Sequence, residues 1–272
     1  MLPFTVTRHV ETLADTVKLC IANPGATIKS LLGPTAHDLD QIWGWNHLLP
    51  PTYDSCMHDI ISARAEQHPD KEAISSFDGS LTYGQVDRYS TFLAGSLKME
   101  LGVQLDDFVP VCFEKSRWTI VAVLAVMKSG ATMVLMDPTL PLARLQNMAE
   151  QVGAKAMVSS SKQHDLSRSI LPTGKFITVD PDAFTSLSGP EPPLTARLPK
   201  VPASALMYII FTSGSTGTPK GVKISHQTYT SSAFPRAQAV GYTEESRVLD
   251  FASYAFDVSI DSMLLTLSLI HI

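Results

Sequence analysis

From Val109 to Ser159 the chain alternates between short apolar runs and longer amphipathic ones, and few folds can accommodate that alternation. Val109–Phe113, Ala131–Met136 and Ala156–Ser159 have the length of strands and are apolar at consecutive positions. Trp118–Lys128 and Pro141–Val152, between them, have the length and spacing of helices. Consecutive apolar positions require burial on both faces, which a parallel sheet covered by helices provides. The pattern predicts an α/β fold of parallel-sheet layers with flanking helices.

The flanking segments extend this frame. Val10, Leu13, Val17 and Ile21 form one apolar stripe of a first helix, which Asn23-Pro24-Gly25 stops. Residues 26–52 are rich in loop signals, and Trp43 and Trp45 there are expected to pack on a neighbour. A helix fits Asp54–Gln67. Asp78-Gly79 reads as a hairpin turn between strands Ala73–Phe77 and Leu81–Thr82, and another helix starts at Tyr83. Residues 180–203 hold Pro181, Pro190, Pro192, Pro193, Pro199 and Pro202 and read as a connector. Ala205–Phe211 and Val222–Ile224 are two further strands.

Several function classes are disfavoured by composition. A net charge of -5 with no Lys/Arg-rich run argues against nucleic acid as a partner. The longest apolar run, Trp118–Met127, is too short to span a bilayer, so no membrane is expected and the cytoplasm is the default location. Cys20, Cys56 and Cys112 are odd in number, far apart and without ligand spacing, which predicts reduced thiols and no metal site.

Chemistry concentrates in Phe211-Thr212-Ser213-Gly214-Ser215-Thr216-Gly217-Thr218-Pro219-Lys220-Gly221. Gly214, Gly217 and Gly221 can take positive φ and bring backbone N–H groups close to a ligand. Thr212, Ser213, Ser215 and Thr216 supply hydroxyl donors, and Lys220 supplies a point charge suited to phosphate. Successive N–H groups in such a turn form an anion-binding nest. The spacing is neither that of a Walker A loop nor GxGxxG, because five residues after Gly214 stands Pro219. The apolar strand before the loop and the Pro-Lys-Gly exit speak against a plain Ser/Gly linker.

This stretch resembles the signature loop of the adenylate-forming superfamily, which contains acyl-CoA synthetases, luciferases and the adenylation domains of nonribosomal peptide synthetases. Three more stretches resemble adenylation-domain motifs in the right order. They are Leu81-Thr82-Tyr83-Gly84-Gln85-Val86, the run from Met127 to Pro138, and Phe256-Asp257-Val258-Ser259. Leu135 stands where the family has proline. Ile42-Trp43-Gly44-Trp45-Asn46 is similar to the join between a condensation domain and an adenylation domain.

The resemblance implies that residues 53–272 are the N-terminal part of an adenylation domain and residues 1–52 a linker like the end of a condensation domain. It implies ATP and Mg2+, an amino-acid substrate, and transfer to the phosphopantetheine thiol of a carrier domain. The loop from Thr212 to Gly217, with Lys220, would hold the phosphates, and Asp257 would neutralise the substrate ammonium. For Asp257 the bland alternative is a helix N-terminal acid. Val258 and Asp261 match positions lining the family's side-chain pocket, and Asp261 would either select a polar or basic side chain or face solvent. Asp137 reads as a turn cap and His226 as a structural histidine. A stand-alone acyl- or aryl-acid ligase and an inactive nucleotide-binding fragment are the alternative readings.

The chain stops at Ile272 inside an apolar run, and the family's later motifs, with the magnesium-binding acid and the catalytic lysine, are not among its residues. The expectation is a chain incomplete at its C-terminus. ATP–pyrophosphate exchange by these 272 residues alone should stay at background for every amino acid. Robust amino-acid-dependent exchange would contradict that expectation.

Overall fold

The computed structural model describes residues 3–31, 33–179, 184, 198–212 and 219–268. The chain divides into two compact units, Met1–Pro50 and Pro51–Ile272.

The first unit is helical: α1 (Pro3–Ala22), α2 (Ile28–Leu31) and α3 (Ala36–Asn46). Thr35 caps α3 through a capping box, its hydroxyl accepting from Asp38 N while the Asp38 carboxylate accepts from Thr35 N. Arg8 of α1 donates to Thr35 Oγ1 at 3.1 Å and pairs with Asp38. Trp43 and Trp45 are exposed, contrary to the expectation that they pack.

The second unit opens with α4 (Met57–Gln67), a hairpin of β1 (Glu72–Ser76) and β2 (Gly79–Thr82), and α5 (Tyr83–Met99). The hairpin turn is Phe77-Asp78, one residue earlier than read from the sequence, with Ser76 facing Gly79. Gly79 has φ +117 inside β2, and any Cβ there would strike the Arg117 guanidinium. From that turn Asp78 accepts from Ser116 Oγ and Arg117 N and so ties the hairpin to the start of the helix Arg117–Lys128. Thr82 and Gln85 make a reciprocal capping box that starts α5.

Then come β3 (Phe108–Cys112), α6 (Arg117–Lys128), β4 (Thr132–Met136), α7 (Leu142–Gln151) and β5 (Ala156–Ser160). After them α8 (His164–Ile170) and β6 (Lys175–Val179) were not anticipated. The chain re-enters the sheet with β7 (Leu206–Thr212) and β8 (Lys220–Ser225), followed by α9 (His226–Ala239). A final helical stretch comprises α10 (Val258–Ile260), a π-helical turn over Asp261–Leu265 and α11 (Thr266–Ser268). Of the proline connector, Pro199 and Pro202 are described, and the other prolines lie outside the described residues.

The six strands lie in the order β6-β5-β3-β4-β7-β8. All neighbours are parallel except β7 and β8, which pair antiparallel from Leu206↔Ser225 to Thr212↔Lys220. The sheet is therefore parallel through its centre and closes at one edge with a hairpin. Side-chain alternation divides the core in two. Val109, Val111, Met133, Leu135 and Met207 join the layer of α5 and α6, while Cys112, Val134, Met136 and Met157 join that of Leu145, Met148 and Ile170 on α7 and α8. Cys112 is a buried thiol, pushed up to about 12 mainly by burial, as expected of a small core residue.

Two buried polar groups tie elements of this core to one another. Lys128, at the end of the almost wholly buried α6, donates to the Asp87 carboxylate at 2.6 Å, to Asp87 O at 3.0 Å and to Thr91 Oγ1 at 2.9 Å, all on α5. Asp137, just after β4, accepts from Thr139 N and Thr139 Oγ1 through Oδ1, the expected turn cap. Its other oxygen accepts from Ser253 Oγ and so tethers a distant loop to the end of the sheet.

Replacing Lys128 by Ala leaves Asp87 and Thr91 short of a buried donor and should cost about 2–3 kcal/mol of stability in urea unfolding. Burial pushes the Asp137 carboxyl up, but the hydrogen bonds from Ser253 and Thr139 and the charge of Lys115 outweigh it and hold the group below the ordinary 3.8. A carboxyl depressed by folding contributes stability that is full above its unfolded value and lost as pH falls through the folded one. The stability gap between the parent and Asp137→Asn should thus be about 1–2 kcal/mol at pH 7 and shrink as pH falls below the ordinary carboxylate value of 3.8. A gap that grows on acidification would contradict the assignment.

Candidate functional site

The hairpin β7–β8 carries the Ser/Thr/Gly loop at its open end. Thr212 and Lys220 face each other as the last ladder pair, and Thr212 Oγ1 donates to Lys220 O at 3.4 Å. Both side chains are exposed, and among the described residues the Lys220 ammonium has no ion-pair partner. Such a pair of donors fits an anion. Ser213, Gly214, Ser215, Thr216 and Gly217 lie outside the described residues. Gly221 does not supply the positive φ expected of it. It lies in β8 opposite Phe211, where a Cβ would come within 2.4 Å of Ile209 Cδ1.

On the same two strands begins a cavity of about 410 Å³. Tyr208 of β7 and Ile224 of β8 form part of its wall. Tyr229, Ser232 and Arg236 add one face of α9, whose N-terminus Ser225 caps by accepting from Thr228 N. Asp257, Val258 and Asp261 complete the lining, so all three predicted substrate-binding residues share one cavity.

The two acids differ in their surroundings. Asp261 Oδ1 accepts from Arg236 Nη2 at 2.6 Å and from Tyr229 OH at 2.8 Å. It therefore does not simply face solvent, and its charge is already balanced. Asp257 stands at the N-terminus of the short α10 and makes no side-chain capping hydrogen bond. Its carboxylate has no hydrogen-bond donor among the described residues, and it is exposed to the cavity mouth. Arg236, Asp261 and Asp257 together leave a net charge of one negative, and that charge is on Asp257. The cavity's negative potential is felt by Tyr208, whose phenol is pushed up to about 12 by burial, then by Asp257 and Asp261.

The segment that carries Asp257 is held from the sheet. Lys115, beyond the end of β3, pairs with Asp250 at 2.8 Å, and Asp137 takes Ser253. Ser253 Oγ in turn accepts from Ala255 N, and Ser259 Oγ donates back to Phe256 O at 2.7 Å. The Phe256-Asp257-Val258-Ser259 turn is thus pinned on both sides. The π-helical turn begins at Asp261, where the wider backbone lies next to Arg236. Tyr208, Tyr229 and Arg236 escaped sequence reasoning because only the pairing of β7 with β8 and the packing of α9 bring them to the acids.

His226 is buried and structural. Its Nδ1 accepts from Met57 N at 3.3 Å, which satisfies one of the free N–H groups at the start of α4. Cys56, His58 and His226 offer ligand atoms within 4.8 Å of one another, and no spacing in the sequence signals this cluster. Burial holds His58 down at about 3 and His226 at about 4, so both rings are neutral. The bond from Met57 N makes Nδ1 of His226 the acceptor and leaves the proton on Nε2. That Nε2 and the Nδ1 of His58 are buried and have no hydrogen-bond partner among the described residues.

Comparison with known proteins fits this geometry. Residues 61–269 match the family described as AMP-binding enzyme, and residues 1–32 match one described as nonribosomal peptide synthetase sidD N-terminal. The chain is 70% identical over 267 residues to nonribosomal peptide synthetase sidD of Aspergillus fumigatus, which covers 98% of this chain and 13% of that protein. It is 52% identical over 256 residues to nonribosomal peptide synthetase 1 of Ajellomyces capsulatus, covering 93% of this chain and 14% of that protein. Among solved structures, the nonribosomal peptide synthetase FmoA3 superposes with a TM-score of 0.77 at 24% identity, over 99% of this chain and 28% of that one. FmoA3 is also known in an AMPPNP-bound form. VinN with 3-methylaspartate gives 0.71 at 20% identity, over 80% of this chain and 60% of that one. At such identities these likenesses speak for the fold, and the chain spans only 13–14% of the two relatives' lengths. With well over half its residues matched, the chain belongs to the AMP-binding enzyme family of adenylate-forming ligases.

Proposed function

We propose that residues 53–272 form the N-terminal part of an adenylation domain that activates an amino acid as its aminoacyl-adenylate, within a nonribosomal peptide synthetase of secondary metabolism. The observation that carries this reading is the unpaired Asp257 in a cavity where Asp261 is already neutralised by Arg236. One free negative charge suits one α-ammonium, and a desolvated ammonium needs such a partner. A fatty or aryl acid would leave Asp257 without a counter-ion, which disfavours the stand-alone ligase.

In the proposed reaction a substrate carboxylate oxygen attacks the α-phosphorus of ATP. The bond to the bridging oxygen breaks, pyrophosphate leaves with the electron pair, and a mixed anhydride with AMP remains. The chain's part is positioning and charge stabilisation. Asp257 fixes the ammonium, and Val258 shapes the wall beside it. Thr212, Ser213, Gly214, Ser215, Thr216 and Gly217 with Lys220 take the phosphates of ATP.

Magnesium requires several hard oxygen ligands. Of the carboxylates lining the cavity, Asp261 is committed to Arg236 and Tyr229, which leaves Asp257 alone. A Mg2+ ion is ordinarily held by one or two carboxylates together with phosphate oxygens and water, and no step here runs through the ion. Carrier and condensation domains of the synthetase are the proposed partners, with the phosphopantetheine thiol as acceptor of the acyl group. Residues 1–52 precede the domain as a linker. The sidD N-terminal match covers residues 1–32, and the resemblance to the end of a condensation domain rests on Ile42–Asn46. No described helix is long and apolar enough to cross a membrane, and the proposed compartment is the cytoplasm.

Calorimetric titration with ATP tests the phosphate-holding role. Lys220→Ala should raise the dissociation constant at least about tenfold, the loss of one charge-assisted contact. Unchanged ATP affinity in that variant would remove Lys220 from the site.

A further inference from the structure

Within the unit Met1–Pro50, α1 is packed inside out. Its half-buried positions are Arg8, Thr12, Asp15 and Thr16, one face of the helix and all polar. Arg8 is locked to Thr35 and Asp38 at the start of α3. Thr12 and Thr16 spend their hydroxyls on carbonyls one turn back, Arg8 O and Thr12 O. The opposite face carries Val6, Val10, Leu13, Val17 and Cys20, all exposed, with Val10 at 62% and Leu13 at 66%. A helix held by its polar side presents its apolar side to something else.

The identity of these residues says what fits. Their spacing of four, three, four and three is that of a heptad seam. Val10 and Val17 take the a positions, and Val6, Leu13 and Cys20 the d positions. β-Branched Val10 and Val17 at a, with Leu13 at the d position between them, match the pattern that favours two strands in parallel coiled coils. The flanking positions, Thr7, His9, Ala14, Thr16 and Ile21, carry no carboxylate, ammonium or guanidinium. Arg8, Glu11, Asp15 and Lys18 all fall on outer positions, where they pair along the helix as Arg8–Glu11 and Lys18–Asp15. Two identical seams therefore meet without like-charge repulsion. The seam is short, and two copies bury on the order of 800–1,000 Å², the lower limit for specific association.

We propose that the Val6–Val10–Leu13–Val17–Cys20 seam of α1 docks against the same seam of a second copy of this chain as a parallel two-stranded coiled coil. The association is weak and reversible, with a dissociation constant of roughly 10–100 μM. In parallel register, Cys20 of one copy faces Cys20 of the other.

Sedimentation equilibrium of the 272-residue chain under reducing conditions tests this. The parent should shift from monomer to dimer as concentration rises to roughly 200 μM. Leu13→Glu, on an exposed face and with a good helix former, should weaken dimerisation more than about tenfold. A short bis-maleimide should link two copies through the exposed Cys20, and Cys20→Ser should dimerise yet give no linked product. A chain that stays monomeric at every concentration, as it would if another part of the same chain covered α1, overturns the proposal. So does a Leu13→Glu variant that dimerises like the parent. A dimer whose Cys20 residues do not link overturns the parallel seam.

Discussion

The antiparallel return of β8 along β7 is the constraint on which the site depends. Six residue pairs from Leu206↔Ser225 to Thr212↔Lys220 place Lys220 across from Thr212 at the open end of the hairpin. The same ladder ends at Ser225, the cap from which α9 starts, so the strand pairing also determines where Tyr229 and Arg236 project. Lose the pairing and both the proposed phosphate donors Thr212 and Lys220 and the wall facing Asp257 lose their frame. A parallel βαβ unit would have carried the chain after the loop away from β7. The hairpin keeps the loop and the cavity on the same two strands.

Charge is distributed in that cavity with some economy. Arg236 and Tyr229 satisfy Asp261, which leaves Asp257 as the single unbalanced group. Asp257 is held there indirectly. Lys115 and Asp137, at the ends of β3 and β4, hold Asp250 and Ser253, and those contacts position the turn that follows. A carboxylate that reads locally as a turn cap thus has a second role in placing the substrate residue. Burial favours the neutral form of Asp137, and the donors around it reverse that preference, as they must if the tether is to stay ionised.

Much of this was legible in the sequence, and for identifiable reasons. Consecutive apolar residues such as Met133-Val134-Leu135-Met136 announced a strand buried on both faces, and alternate ones do enter the two separate layers. The helix read as starting at Tyr83 is α5, and the structure adds the Thr82–Gln85 capping box that starts it. Asp257, Val258 and Asp261 were chosen by motif and by count from it, and they line one cavity. The direction of β8 was not legible, because strand periodicity is the same in either sense. Lys175–Val179 was passed over despite its β-branched content, since it pairs only at the sheet edge beside β5. The apolar stripe of α1 was legible, but a stripe says only that a helix face will be covered, not by what. Arg236 could not be found at all from spacing, being twenty-five residues from its partner Asp261 and joined to it only by packing.

The account stands or falls on Asp257 as the counter-charge of a substrate ammonium. The direct measurement is ATP–pyrophosphate exchange by the synthetase that contains this chain, with its amino acid and with the same acid lacking the α-amino group, in the parent and in Asp257→Ala. The parent should prefer the amino acid by at least about a hundredfold, the value of a desolvated ion pair, and Asp257→Ala should erase most of that preference. If Asp257→Ala kept the full preference for the α-amino group, the ammonium would be bound elsewhere and the reading of this cavity would be wrong.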